Sequence, residues 1–328
     1  MKPTAILRTP CPAAQKSAGA ARHIQPPRRA AALAALFAFG LAIAAPAQEA
    51  TNAAKAPLQL HILGASVSAG FKDGPLTGAR QQGDTVSLKV LLDAWAGEHA
   101  KVTMHNPTKM MAMFTNPEKL GGEQIAAVAK HAPDLVLAID FPFWFAYGYV
   151  QGEEGPARRE RFAKGLELLG SLDLPIILGD LPDMTGAAAR MLSPRQIPAA
   201  EILRGLNAEL ARFAAARRKV QVLPLGELVR AMQQDGIELP LQSGPLRAPK
   251  GTLLQEDRLH ANRLGMAYLG FQLQGLLQRA MPAEHPLARQ QWSFEQFVAA
   301  AGAGPDLEAL QDEVPAKPVD AGTPAGGK

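Results

Sequence analysis

Leu58-Gln59-Leu60-His61-Ile62-Leu63-Gly64-Ala65-Ser66-Val67-Ser68-Ala69-Gly70 is the stretch that decides the fold of this chain. Its first half, Leu58–Leu63, is a largely apolar run that reads as a strand. Its second half is a turn of small residues carrying serines. A strand that runs into such a turn presents a hydroxyl at a sheet edge. Four further apolar runs follow: Val102–His105, Leu135–Ile139, Pro175–Leu178 and Val220–Leu223. Between them, Val86–Ala96, Glu123–His131, Arg158–Leu169 and Ala199–Ala215 place apolar residues at i, i+3 and i+4. Apolar strands alternating with amphipathic helices predict a parallel sheet covered on both faces. The expected architecture is one three-layer α/β/α sandwich with a five-stranded parallel sheet, spanning residues 56–282.

Asn262–Arg279 reads as the last helix of that domain, and Trp292–Ala301 predicts one more within an extension over 283–301. From Gly302 to Lys328, Pro, Gly, Ala and acidic residues dominate and predict a disordered tail. No internal repeat is visible.

The first 47 residues read as a secretory signal. Arg28-Arg29 precede the uncharged run Ala30–Ala44, and Ala45-Pro46-Ala47 has the small-x-small pattern of a cleavage site after Ala47. The run is shorter than the ~20 residues a membrane-spanning helix needs, so no transmembrane anchor is expected after processing. Arg28-Arg29 leaves the twin-arginine export route open beside the general one. The whole chain carries a formal charge of +4, but six of its 34 basic residues and none of its 30 acidic ones lie in this leader. The mature chain then holds 28 basic against 30 acidic residues, a charge of −2, which removes any basis for a nucleic-acid partner. Cys11, the single cysteine, leaves with the leader. A cysteine-free exported chain fits a periplasmic or secreted location.

Nearly two hundred residues after the serine turn comes Asp257-Arg258-Leu259-His260. In an open parallel sheet, ligands sit beyond the carboxyl ends of the strands, which is where Ser66 falls. The turn is not a nucleophile elbow, because Ser68 stands where Gly-x-Ser-x-Gly needs glycine. Nor is it a P-loop, since no Gly-Lys-Ser/Thr follows. His61, His99, His105, His131 and His285 show no metal-ligand spacing, so neither a metal nor another cofactor is expected.

These blocks resemble the SGNH (GDSL) hydrolase family. Gly64-Ala65-Ser66-Val67-Ser68-Ala69-Gly70-Phe71 is similar to its first block, Gly-Asp-Ser-x-x-x-Gly. Asp257-Arg258-Leu259-His260, followed by Ala261–Gly265, is similar to its last block, and Pro133-Asp134-Leu135-Val136 to the lead-in of its third. The resemblance spans the expected domain and implies a flavodoxin-like sheet. It implies Ser66 as nucleophile, His260 as its base and Asp257 as the group that orients the imidazole. The oxyanion hole would include the backbone N–H of Ser66, with Met111 and Asp140 at the positions of the family's second and third donors.

Three positions depart from the family. Ala65 replaces an aspartate that orders the turn, and Met111 aligns with a glycine. Asp140 stands in place of an asparagine, so an acceptor replaces a donor and Asp140→Asn is expected to raise turnover. Asn106 and Asn116 are alternative sources of the amide.

Six of the 18 aromatic residues crowd into Phe141–Tyr149, after the third strand. With Met110 and Met113 after the second, Phe141, Phe143, Trp144 and Phe145 are candidates for an acyl groove; ordinary core packing is the other reading. The charged stretch Glu153–Arg161 reads as a solvated helix start. The expected function is hydrolysis of a lipid-like or small-molecule acyl ester through an acyl-enzyme. The alternatives are a catalytically impaired domain that binds a ligand or an envelope partner, and a carbohydrate O-deacetylase.

Overall fold

The computed structural model describes residues 56–105 and 113–313. Its sheet has five parallel strands in the order β2-β1-β3-β4-β5: β1 Leu58–Ile62, β2 Ala100–Met104, β3 Leu135–Ala138, β4 Ile176–Gly179 and β5 Val220–Leu223. Each lies on one of the five apolar runs. β3 and β4 are buried at every position, as a central parallel strand covered on both faces must be.

Helices cover both faces. Helices α2 (Leu88–Ala96), α8 (Arg263–Ala280) and α9 (Phe294–Ala301) pack on one another, while α3 (Pro117–His131), α4 (Phe141–Ala146), α5 (Glu154–Gly170) and α6 (Ala200–Ala215) form a second layer. The result is a three-layer α/β/α sandwich with flavodoxin-like strand order. Ser87 caps α2 by accepting from the Val90 N–H, and Asn262 caps α8 by accepting from Gly265, which fixes where each helix begins. Trp95, Phe162, Phe294 and Phe297 are fully buried between the layers. Each such side chain contributes about 1.5–3 kcal/mol of hydrophobic stabilisation.

A hairpin and a C-terminal helix are among the elements not expected. β6 (Ile237–Leu241) and β7 (Gly244–Ala248) form an antiparallel hairpin, with Pro240 opposite Pro245. A lone two-stranded ribbon tolerates proline because its outer edges need no ladder partner. Helix α10 (Gly304–Glu313) occupies the start of the region whose composition predicts disorder, and it buries Leu307 and Leu310. The remainder of that tail, like residues 1–55 with the expected leader, lies outside the described residues. No described helix is long and apolar enough to cross a membrane.

The stretch Glu153–Arg161 is a helix start whose Glu153, Arg159 and Glu160 are exposed, but two of its arginines are not simply solvated. Arg158 is fully buried; its guanidinium donates to the carbonyls of Ala146 and Gly148 and pairs with Glu154 at 2.8 Å. Arg161 donates to the carbonyls of Phe145, Tyr147 and Tyr149, and burial, then the Arg158 charge, push its pKa down to about 10. Two arginines from α5 thus satisfy the carbonyls that α4 leaves open at its end.

Candidate active site

The order β2-β1-β3-β4-β5 reverses direction between β1 and β3, and the carboxyl ends of those two strands flank the place where such sheets bind ligands. β1 leads into α1 (Ser66–Ala69) and β3 leads into Asp140 and α4. Ile62 pairs with Leu137, an offset of 75 residues. Carried three residues past the strand ends, that offset sets Asp140 beside Ala65.

Asp140 is the centre of the serine turn. Its Oδ2 accepts from the N–H groups of Ala65 (3.1 Å), Val67 (2.9 Å) and Ser68 (3.3 Å), and its Oδ1 accepts from the Ser68 hydroxyl (2.6 Å). Among the amides from 65 to 68, that of Ser66 alone makes no hydrogen bond to the described residues. Burial pushes the Asp140 carboxyl above the ordinary carboxylate value; the hydrogen bonds from Ser68, Ala65 and Val67 oppose that rise. Asp140 therefore acts as an acceptor that builds the turn, which differs from the oxyanion-donor position that the family alignment assigns to it. It supplies the ordering that an aspartate at 65 would provide.

Ala65 has a physical reason of its own. It is buried in a small apolar cluster with Met113, Leu120 and Trp144, where a carboxylate would be desolvated without a partner. Gly64 is required as well. Its φ is +137°, and a Cβ there would stand 2.0 Å from Asp140 Oδ1. Gln124 on α3 clamps Gly64 from outside, accepting from its N–H (3.0 Å) and donating to its carbonyl (2.8 Å).

The Asp257–His260 loop is equally well defined. Asp257 and His260 are both buried, and His260 Nδ1 lies 2.6 Å from Asp257 Oδ2. Asp257 Oδ1 accepts from the backbone N–H groups of Leu259 and His260, both at 2.9 Å. Burial opposes charge on Asp257, but the His260 hydrogen bond and charge, with these backbone donors, outweigh it and hold its carboxyl below the ordinary value. Arg258 adopts φ +55°, the left-handed conformation that folds the carboxylate back onto the histidine.

Two residues to which the sequence reading gave no role tie this loop to the serine turn. The Phe71 ring lies 4.6 Å from that of His260, and the Phe71 N–H donates to the Ser66 carbonyl at 2.9 Å. Buried Gln255 accepts from the Asp73 N–H and donates to the carbonyls of Phe71 and Ala261, while its own N–H donates to the His260 carbonyl. The Ser66 hydroxyl makes no hydrogen bond among the described residues. Nucleophile–base hydrogen bonds in free enzymes are often long and tighten with substrate.

Ser66 and the residues on either side of His260, Leu259 and Ala261, line one narrow pocket with about 650 Å³ of empty space. Of the expected groove residues, only Phe143 lines it. Phe141 and Phe145 are fully buried in the main core, while Trp144 and Met113 are buried in the small cluster with Ala65. The helical period of α4 explains the correction. Positions 141 and 145 turn inward together, and Phe143 stacks on Tyr147 at 4.0 Å instead. Met110, Met111 and Asn106 lie outside the described residues. Asn116 caps α3 by accepting from the Lys119 N–H and is committed there.

Among the described residues no cluster of three or more His, Cys, Asp or Glu side chains is placed to hold a metal ion. His61 sits in β1 with both ring nitrogens buried and unpartnered. Its pKa is lowered to about 4 by burial, then by His131 and His105.

The chain matches no protein-family profile and no curated protein sequence. It resembles the solved structure of a gut microbial diltiazem-metabolizing enzyme at 12% identity and a TM-score of 0.41, covering 68% of this chain and 46% of that one. The chain thus spans less than half the length of that enzyme. The psychrotrophic esterase EstA from Pseudoalteromonas sp., in a form inhibited by monoethylphosphonate, resembles it at 13% identity and a TM-score of 0.39, over 67% of this chain and 97% of the esterase.

Proposed function

We propose that the protein is an exported SGNH-type serine hydrolase that cleaves carboxylic esters through an acyl-enzyme, without a cofactor. The observation that carries this reading is one pocket lined both by Ser66 and by the residues flanking a buried, hydrogen-bonded Asp257–His260 pair. Ser66 Oγ attacks the ester carbonyl as His260 Nε2 takes its proton. Asp257 holds the imidazole in the tautomer that leaves Nε2 free to do so, and stabilises the imidazolium that forms. The free N–H of Ser66 donates to the oxyanion. Collapse of the tetrahedral intermediate expels the alcohol, which receives the proton from His260. Water, deprotonated by the same imidazole, then hydrolyses the acyl-serine and restores Ser66.

The apolar lining favours an acyl ester over an O-acetylated glycan, whose hydroxyls would lose water there without gaining partners. The lack of a hydrogen bond at the Ser66 hydroxyl among the described residues is the observation that favours the second reading, a domain that binds a ligand or envelope partner without turnover. Ester hydrolysis by the purified protein separates the two. Turnover that Ser66→Ala abolishes supports the enzyme; turnover that survives in Ser66→Ala, or none in the wild type, refutes it.

A further inference from the structure

The pocket is polar at one place and apolar everywhere else. Among the described residues, Ser66 and Asp140 are the only polar side chains that line it, and the Asp140 carboxylate is consumed by the turn. A substrate must therefore place its ester at Ser66 and an uninterrupted apolar body beyond it. The walls of that apolar part come from segments after β4 and β5 and from α8: Met184, Leu228, Met232, Leu254 and Leu269. Of the aromatic run after β3, Phe143 alone lines the pocket.

Leu228 lies on α7 (Leu225–Arg230), and Met232 lies four residues later, in the π-helical turn Ala231–Asp235 that continues it. Residues i and i+4 share a helix face, and the wider π-turn re-aims the face that follows it. The same turn is tied to the base loop. Buried Gln233 donates to the Arg258 carbonyl at 2.8 Å, next to Asp257. The pocket wall and the catalytic base are thus parts of one hydrogen-bonded unit. A lining of this kind, with no polar group to meet a hydroxyl or charge beyond Ser66, fits a hydrocarbon chain.

We propose that the space between α7 with its π-turn and α8 is the acyl site for a straight aliphatic chain, and that Met232 and Leu228 set the chain length accepted. This inference rests on Ser66 as the acyl acceptor. Methionine suits the position because its unbranched thioether adapts to a chain that slides past it.

The test measures kcat/KM on straight-chain p-nitrophenyl esters from acetate to laurate, for wild type, Met232→Trp, Met232→Ala and Leu228→Phe. Thermal melting of each variant checks that it is folded. Each methylene admitted to the pocket is worth roughly fourfold in kcat/KM, so the wild-type profile climbs with length and then stops. Met232→Trp moves the optimum to shorter esters, and Met232→Ala moves it to longer ones. Leu228→Phe, from a half-buried position, shortens it if Met232→Trp does not fold. Profiles that coincide in all folded variants, or a wild type faster on acetate than on every longer ester, overturn the acyl site while leaving the hydrolase intact. Absence of turnover on every ester, with no labelling by a fluorophosphonate, overturns the hydrolase reading and this inference with it.

Discussion

The loop that carries His260 is held by a carboxylate three residues away, whereas the turn that carries Ser66 is held by one 74 positions away. Asp257 reaches the imidazole and two amides of its own loop; Asp140 reaches three amides and a hydroxyl of another strand's turn. The first arrangement forms wherever the local backbone bends correctly. The second exists only once β1 and β3 have paired in register. Their pKa values also shift in opposite directions: burial raises that of Asp140, while the His260 contacts bring that of Asp257 down despite its burial.

Breaking the base loop should have the largest effect. Asp257→Asn keeps the size of the side chain but favours the wrong imidazole tautomer, and kcat on esters should fall by about 10³–10⁴. A loss under tenfold would remove Asp257 from the mechanism.

Breaking the turn comes next. Asp140→Ala leaves three amides and the Ser68 hydroxyl without their acceptor, which should cost roughly 3 kcal/mol in a denaturant titration and lower kcat by about 100-fold. Asp140→Asn sharpens the comparison. Its amide oxygen can accept the three N–H groups and its NH₂ can donate to Ser68 Oγ, so the turn survives without the charge. The structure therefore predicts no gain in turnover from Asp140→Asn, in contrast to the expectation from the family alignment.

The two carboxylates should also give opposite pH responses. Asp257, with a lowered folded pKa, contributes stability that is present above the ordinary value of 3.8 and is lost as pH falls through the folded pKa. Asp140, with a raised folded pKa, contributes stability that is full below 3.8 and is lost as pH rises through the folded pKa. Stability curves should thus show the deficit of Asp140→Asn shrinking as pH rises, and that of Asp257→Asn growing. Parallel curves would show that the two carboxylates do not differ in this way.

The smallest of these effects comes from His61, on the strand beneath the turn. Its folded pKa of about 4 lies below the unfolded value of 6.5, so only the unfolded chain takes up a proton between them. The wild type should lose about 2 kcal/mol between neutral pH and pH 5, and His61→Leu should remove that loss. An unchanged acid limb in His61→Leu would assign it to other groups.

The five strands and the helices between them were legible because each is announced by a local apolar period. The pairing of Asp257 with His260 was legible too, since both sit within one short motif. The β6–β7 hairpin was not, because Pro240 and Pro245 argue against strands unless the ribbon is known to stand alone. The role of Asp140 follows from register, which no local pattern in β1 or β3 reveals. Gln124 had a visible signal: it lies four residues from both Leu120 and Val128, on the inward face of α3. The aromatic run misled because its crowding drew attention away from the i, i+4 spacing that sends Phe141 and Phe145 into the core.

The most direct test of the account is the site of phosphonylation. Treatment of the purified protein with an alkyl fluorophosphonate, followed by peptide mass spectrometry, should find one phosphonyl group, on Ser66. Modification of Ser68, whose hydroxyl the structure commits to Asp140, or no modification in a folded sample, would contradict it.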